Sequence, residues 1–524
     1  MNFGGLTRVK TGCVTCRIRR IKCDEGKPAC NKCLSTGRTC DGYINGSVSR
    51  KTSKTPSRSH AVAPTQRLAR PPRSSHFETD KARFSFEVFT LRTLAATGDL
   101  LGVSFWQQLV PQTAHREPAV MHIALALGFL HEQIAKPDDP ASQDCKRLAL
   151  QQYGKAIANA RRLIASSDPK NSSLALVSCV LFVCFENQMG NYNAAHVHLR
   201  AGLAIASRSL SSESTLGRSP GGSATAMISA ALCRLDFQAR TFVDTTAPYP
   251  YSQEDLATLD VSALDLSYFA SVDDAQRCLI TVLRKIIGTA SLLFSALVQP
   301  NPDAAAIASL QATKAQCHSD LARWHTAFEG LRTVTLPILT SKATCTYRLL
   351  LMYHKIGALL LSAGTSGRER AWDAHVTEFA DLVTDARAIY LGPGSDAKAS
   401  ARSVSLELGT VIPLFVVAIK CRDPRVRRSA IALLLDMDRW EGMWHSVGSA
   451  RAAEIVVRIE EERTCRLTGL ERVMSAEEIP ENARVIEVIP TAQPEFRKVS
   501  IKVLIHDAED LEGPWIVKDE DVTY

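Results

Sequence analysis

Residues 12–43 read GCVTCRIRRIKCDEGKPACNKCLSTGRTCDGY. Six of the chain's 15 cysteines fall here: Cys13, Cys16, Cys23, Cys30, Cys33 and Cys40. Their spacing is C-x2-C-x6-C-x6-C-x2-C-x6-C, so Cys13–Cys16–Cys23 recurs as Cys30–Cys33–Cys40, 17 residues later. Each C-x2-C pair can place two sulfurs on one zinc, and a structural zinc takes four ligands. Three cysteines per half are one short. Two tetrahedral zincs are completed only if two thiolates are shared between them. One zinc alone would leave two thiols over, so the spacing favours a binuclear cluster.

The two halves differ chemically. After Cys16 the first half runs Arg17-Ile18-Arg19-Arg20-Ile21-Lys22. Val14, Ile18 and Ile21 have the spacing of one helical stripe. The expectation is a short helix whose stripe covers the cluster and leaves Arg17, Arg19, Arg20 and Lys22 facing outward. The second half carries only Lys32 and Arg38 between its cysteines, and Gly37 can end its short helix.

Charge is divided along the 524-residue chain: the net charge is +8, but residues 1–83 hold 18 Lys or Arg against 5 Asp or Glu. The remainder holds 44 basic against 49 acidic residues. A basic N-terminal part on a mildly acidic body implies an anionic partner for the N-terminus. Nucleic acid is the first candidate and a membrane surface the second. A solvated basic arm is the plainer alternative. The first ten residues carry no apolar core of a signal peptide, and no stretch has about 18 uninterrupted apolar residues. An intracellular, reducing setting is therefore expected, where clustered cysteines read as metal ligands.

The six-cysteine pattern resembles the zinc binuclear cluster (Zn2Cys6) of fungal transcription factors of the yeast galactose-regulator type, without a gap over residues 13–40. The resemblance implies two Zn²⁺ per chain held by all six cysteines, with the first and fourth, here Cys13 and Cys30, bridging the metals. The family's proline before the fourth cysteine is here Pro28. The resemblance further implies nuclear localisation, with double-stranded DNA and the transcription machinery or co-regulators as partners and no membrane. A basic pair, here Arg19 and Arg20, would meet a CGG-like triplet in the major groove. The second position is commonly lysine in the family. Arginine can bind guanine O6 and N7 bidentately. Arg17, Lys22, Lys27, Lys32 and Arg38 are assigned to the DNA backbone. Six thiolates and two Zn²⁺ leave the cluster anionic, so part of the surrounding basic charge offsets it and the rest is left for phosphate.

The expected organisation is a DNA-binding domain at 1–43, a disordered basic linker at 44–83, an all-helical regulatory domain at 84–474 and a C-terminal tail at 475–524. Within the linker, RLARPPR (67–73) could act as a nuclear import signal. No sustained heptad pattern follows the cluster, so a homodimer would have to form through the body. FWQQLVPQTAHREPAVMHIALALGFLHE (105–132) places a long apolar helix after Pro118. LALVSCVLFVCFENQMGNYNAAHVHLRAGLAIA (174–206) reads as a helical hairpin turning near Gly190-Asn191. Both stretches look like the fungal-specific regulatory region found downstream of such clusters. Further helices are expected over roughly 222–242, 272–299, 302–330, 338–363, 370–390, 398–421, 425–445 and 448–473. A loop is expected at 208–223. Little strand alternation appears before about 484. Residues 484–489 and 498–505 alternate as a β pair. The ending HDAEDLEGPWIVKDEDVTY reads either as an acidic-hydrophobic activation segment or as an acidic edge on that pair.

Enzyme signatures do not appear. His131-Glu132 lacks the second histidine of a zinc protease, because Ala135 stands there. No phosphate-binding loop or dinucleotide fingerprint occurs. His196 and His198, two apart on a helix, do not share a face. The other nine cysteines show no ligand spacing and read as core. The fold class expected is mostly α, and the function is zinc-dependent, sequence-specific transcription regulation of metabolic or secondary-metabolite genes. The alternative is a zinc-containing helical scaffold that binds regulators without reading DNA.

Overall fold

The computed structural model describes residues 12–19, 21–41, 77, 79–98, 100–165, 170–215, 224–242, 261, 264–297, 303–335, 340–392, 403–493, 498–506 and 516–523. The chain divides into two compact units, Met1–Arg73 and Ser74–Tyr524. RLARPPR and most of the expected linker lie outside the described residues, as do 216–223 of the expected loop and 507–515 of the tail.

The small unit is built on two short helices, α1 (Val14–Ile18) and α2 (Asn31–Leu34). Each starts just after the first cysteine of its half and closes in the same way. Ile21 N–H donates to Cys16 O and Arg38 N–H to Cys33 O, each at 3.1 Å. These two bonds are related by the 17-residue repeat. Gly37 ends the second helix with φ 63°, a conformation that glycine adopts without strain. The Lys27–Pro28 peptide is cis, in the loop joining the halves.

The large unit is helical. It opens with α3 (Asp80–Val88), whose N-cap Thr79 accepts from Ala82 N–H, then a π-helical turn (Phe89–Thr93) and α4 (Leu94–Thr97). A second π turn (Phe105–Leu109) leads into α5 (Val110–Ala114) and α6 (Pro118–Ala135). Pro118 starts α6 where its missing N–H costs nothing. This helix is predominantly apolar and 12 of its 18 residues are buried, as such a sequence requires. A Cβ at Gly128 would lie 2.1 Å from Ser85 O, so glycine is what lets α3 approach α6. Ser85 Oγ donates to Leu125 O across that contact at 2.7 Å.

After α7 (Pro140–Ala165) comes the expected hairpin, α8 (Lys170–Gln188) and α9 (Tyr192–Thr215). Its turn carries Gly190 at φ 76°, and Asn191 N–H closes back onto Glu186 O at 2.8 Å. Helix α9 runs to Thr215 and so occupies the first part of the expected loop. There follow α10 (Ala224–Thr241), α11 (Val272–Leu297), α12 (Ala304–Thr335), α13 (Ser341–Ser362), a 3-10 turn (Glu369–His375) and α14 (Val376–Tyr390). Helix α11 is long and apolar enough to cross a membrane. It lies instead in the helical core, with Leu279, Leu283 and Ile286 fully buried.

Two of the expected helices are partly replaced by a sheet. In place of unbroken helices over 398–421 and 425–445, the chain forms β1 (Ser403–Ser405), α15 (Val411–Lys420), α16 (Pro424–Met437), β2 (Arg439–Glu441) and β3 (Trp444–His445). Strand β1 pairs parallel to β2, which pairs antiparallel to β3. The cause is local. Asp438 and Gly442 have φ 34° and 58°, which reverses the chain around β2. Gly409 must pass Glu441, since a Cβ there would fall 2.1 Å from Glu441 Oε1. Glu441 Oε2 then accepts from Val411 N–H at 2.8 Å and starts α15.

Helix α17 (Ser446–Thr468) carries the C-terminal sheet, β4 (Val485–Gln493), β5 (Lys498–Ile505) and β6 (Ile516–Thr523), all antiparallel with β5 central. The expected pair is thus extended by a third strand drawn from the acidic ending. Buried charge joins sheet to helices. Arg422 Nη2 donates to Glu460 Oε1 at 2.8 Å and to Val485 O at 3.1 Å. Glu460 also pairs with Arg427 at 2.7 Å and accepts from Val485 N–H at 2.9 Å. Burial opposes ionisation of Glu460, but Arg422 and Arg427 hold its carboxyl down at about 2.

Candidate metal centre and nucleic-acid interface

The sulfurs of Cys13, Cys16, Cys30 and Cys33 are wholly buried, with those of Cys23 and Cys40 partly so. They form two groups of four, Cys13, Cys16, Cys23, Cys30 and Cys13, Cys30, Cys33, Cys40, each with all sulfurs within 4.8 Å of one another. The shared members are Cys13 and Cys30. Their Sγ atoms lie 3.6 Å apart, Cys16 and Cys30 also 3.6 Å, and Cys13 and Cys33 3.9 Å. A Zn–S bond of about 2.3 Å places the sulfurs of one tetrahedron about 3.8 Å apart. A disulfide would need about 2.05 Å, and none of the six cysteines is in one. The donor set therefore fits two zinc ions sharing an edge. Cys16 Sγ also lies 3.8 Å from Cys33 Sγ, so the four C-x2-C sulfurs form the centre and Cys23 and Cys40 the two ends.

Without metal this crowding is unfavourable: burial pushes the Cys16, Cys30 and Cys33 thiols above their ordinary value. Zinc supplies the positive charge that reverses this. Backbone N–H groups of Cys13 and Glu25 already point at Cys23 Sγ, each at 3.4 Å, where they would stabilise its thiolate.

The predicted DNA-contacting residues are arranged unequally. Lys22, Lys27, Lys32 and Arg38 are exposed. Arg17 lies on α1, and its side chain, like the whole of Arg20, falls outside the described residues. Arg19 is half-buried and reaches to the second half, where its guanidinium donates to Thr36 Oγ1 at 3.1 Å. The apolar stripe expected over the cluster is absent among the described residues. Helix α1 stops at Ile18, which is 75% exposed, and Ile21 is 40% exposed. The sulfurs fill their own centre, so no aliphatic lid is needed. That leaves two isoleucines on the surface beside the basic residues.

Sequence reasoning missed two aspartates. Asp24 accepts from Asn31 N–H at 2.9 Å and Lys32 N–H at 3.0 Å, and these bonds hold its carboxyl below the usual carboxylate range. Asp41 Oδ2 accepts from Thr15 Oγ1 at 2.8 Å, and Thr15 Oγ1 accepts from Asp41 N–H at 3.0 Å. The available signal was that each aspartate follows the third cysteine of its half, so the pair repeats with the sulfurs at 17 residues.

Comparison with known proteins agrees with this geometry. Residues 11–48 match the fungal Zn(2)-Cys(6) binuclear cluster domain, and residues 99–338 match the fungal specific transcription factor domain. The chain belongs to the Zn2Cys6 fungal transcription regulators, a family of zinc-binding transcription factors and not of enzymes, and the cluster domain binds two zinc ions. Among its relatives, the aspercryptin biosynthesis cluster-specific transcription regulator atnN of Emericella nidulans is 24% identical, over 91% of each chain. The transcription regulator lscL of Purpureocillium lilacinum is 28% identical over 36% of this chain and 47% of its own. The transcriptional regulatory protein moc3 of Schizosaccharomyces pombe is 61% identical over 8% of each chain. No solved structure matches the chain.

Proposed function

We propose that this chain is a nuclear regulator of fungal RNA polymerase II genes whose zinc cluster reads G/C-rich, CGG-like triplets in the major groove. The observation that carries the reading is the pair of four-sulfur groups sharing Cys13 and Cys30, with basic residues exposed around them. In this reading all six cysteines are ligands and Cys13 and Cys30 bridge. Arg19 and Arg20 read guanine, with Arg19 leaving Thr36 to do so. Arg17, Lys22, Lys27, Lys32 and Arg38 contact the backbone. Zinc supplies charge and rigidity to the cluster, and the chain's own residues make every contact with DNA. Residues 1–43 form the DNA-binding domain, the tether runs from 44 and ends where α3 begins at Asp80 rather than at 83, the regulatory body continues to 474, and 475–524 form the C-terminal tail. The likeness to atnN over 91% of the chain supports a biosynthetic gene cluster as the target.

Footprinting of the zinc-loaded chain tests this. Protection of short G/C-rich triplets that disappears in Arg20→Ala supports reading. Binding that ignores sequence and responds only to salt would reject it in favour of a zinc scaffold.

A further inference from the structure

A C-x2-C helix is tied to the metal cluster at two points only, its two sulfurs. Two points define an axis, and the helix can still pivot about it. A third contact off that axis is needed to set its orientation. For α1 the two points are Cys13 and Cys16, and for α2 they are Cys30 and Cys33.

The structure supplies a third point to each helix, and it comes from the other half. Asp41, next to Cys40, holds Thr15 of α1. Asp24, next to Cys23, holds the first backbone N–H groups of α2. Helix α2 has no cap of its own, since the Cys30 side chain makes no capping bond. Under the 17-residue repeat Thr15 corresponds to Lys32, so the two aspartates grip equivalent positions. The arrangement is reciprocal: the residue that ends each half fastens the start of the opposite helix.

We propose that Asp41 and Asp24 are positioning residues that set the angle of α1 and α2 on the zinc cluster, and that the Asp41–Thr15 contact sets the angle at which α1 meets the base edges. This rests on the sequence-reading function proposed above. Asp41 ligates no metal in this arrangement and touches no base. It acts through Thr15.

The test uses the full chain loaded with zinc and the variants Thr15→Val, Thr15→Ser, Asp41→Ala and Asp41→Asn. Zinc content, affinity for the footprinted site, affinity for a scrambled duplex and the salt slope are measured for each. Thr15→Val keeps the shape of threonine and removes the hydroxyl. It and Asp41→Ala are expected to hold two zinc ions and an unchanged salt slope, while the ratio of specific to scrambled affinity falls about three- to tenfold, the worth of one hydrogen bond. Thr15→Ser and Asp41→Asn retain a donor and an acceptor and should stay within about twofold of the parent chain. An unchanged ratio in both Thr15→Val and Asp41→Ala would overturn the positioning role while leaving sequence reading intact. Loss of zinc in those two variants would also overturn it, by making the contact part of the metal cage. A parent chain that does not distinguish the two duplexes would overturn the reading and this role with it.

Discussion

Replacing Cys13 and replacing Cys16 are chemically the same operation, yet the sulfur geometry makes their consequences unequal. Cys13 belongs to both four-sulfur groups and Cys16 to one. A structural zinc contributes on the order of 10–16 kcal/mol through four ligands, or about 3 kcal/mol per sulfur, which is roughly a hundredfold in metal affinity. Cys16→Ser should weaken one zinc by about that factor and leave the other with four ligands. Cys13→Ser should weaken both, for a combined loss on the order of ten-thousandfold. The assay is competition against a chromogenic chelator whose zinc affinity falls between the intact and the weakened site. At matched chelator concentration the parent chain keeps two ions, Cys16→Ser keeps one and Cys13→Ser keeps none. Cys30→Ser should behave as Cys13→Ser, because the repeat makes the two equivalent. Equal zinc loss from Cys13→Ser and Cys16→Ser would refute the shared-edge assignment.

Full chelation should unfold residues 12–41 and leave the helical unit intact, read as two separate events by hydrogen exchange; simultaneous loss of protection in both units would contradict the division at Arg73 and Ser74. Arg20→Ala should cost about 1–3 kcal/mol of base discrimination, whereas Lys32→Ala should lower the salt slope by about one; the reverse ranking in salt-dependent binding would move the reader to the second half. Glu460→Ala leaves Arg422 and Arg427 buried without their shared partner and should cost about 3–5 kcal/mol by denaturant unfolding. Acid should act on the same pair. The Glu460 carboxyl is held at about 2 against an ordinary 4.5, so its stabilisation is complete above pH 4.5 and is lost as pH falls toward 2. By a different cause, burial itself, His131 is lowered from 6.5 to about 4, and His354 similarly. Protonation of the unfolded chain therefore destabilises the helical unit as pH falls from 6.5 to 4, which a melting-temperature profile over that range would register.

The parts of the fold that were legible in the sequence are those where local chemistry and packing agree. Pro118 and the apolar run behind it specify α6, and Gly190-Asn191 marks the α8–α9 turn. The sheet at 403–445 was hidden because its strands are two or three residues long. Such strands carry no alternation to detect, and β1 finds its partner only across the intervening helices, Ser403 opposite Arg439. Gly409 and Gly442 are required there because Glu441 and Gln238, respectively, exclude a side chain, and neither neighbour is adjacent to its glycine in the sequence. At the C-terminus the two strands with alternating apolar residues were visible. The third was open to two readings, an activation segment or an acidic edge on that pair, because Lys518, Asp519, Glu520 and Asp521 carry no apolar alternation; it forms the edge strand β6. Their register explains them: Lys502 stands opposite Asp519, Lys498 pairs with Asp521 at 2.7 Å, and Arg458 of α17 holds Glu520 at 3.0 Å.

The metal site shows the same division between what repeats and what must be seen in space. Six identical ligands at fixed intervals state their number and grouping in the sequence, because a structural zinc accepts only a few donor types and takes four of them. The orientation of the helices they hold is not a property of sulfur. The contacts proposed to set it come from a hydroxyl, two carboxylates and a guanidinium, and of these only the aspartates carry a spacing signal, each following the third cysteine of its half. The hydrophobic stripe was the natural guess for what braces α1, and it fails because the sulfurs already exclude water from the centre. Once the cluster needs no apolar cover, polar contacts at its rim become the remaining means of setting the angle. In the function proposed above, discrimination depends on that angle as well as on the basic side chains. Lengthening the loop between Lys27 and Cys30 should therefore leave zinc binding intact, displace Asp24 from α2, and reduce discrimination between duplexes before it reduces total affinity.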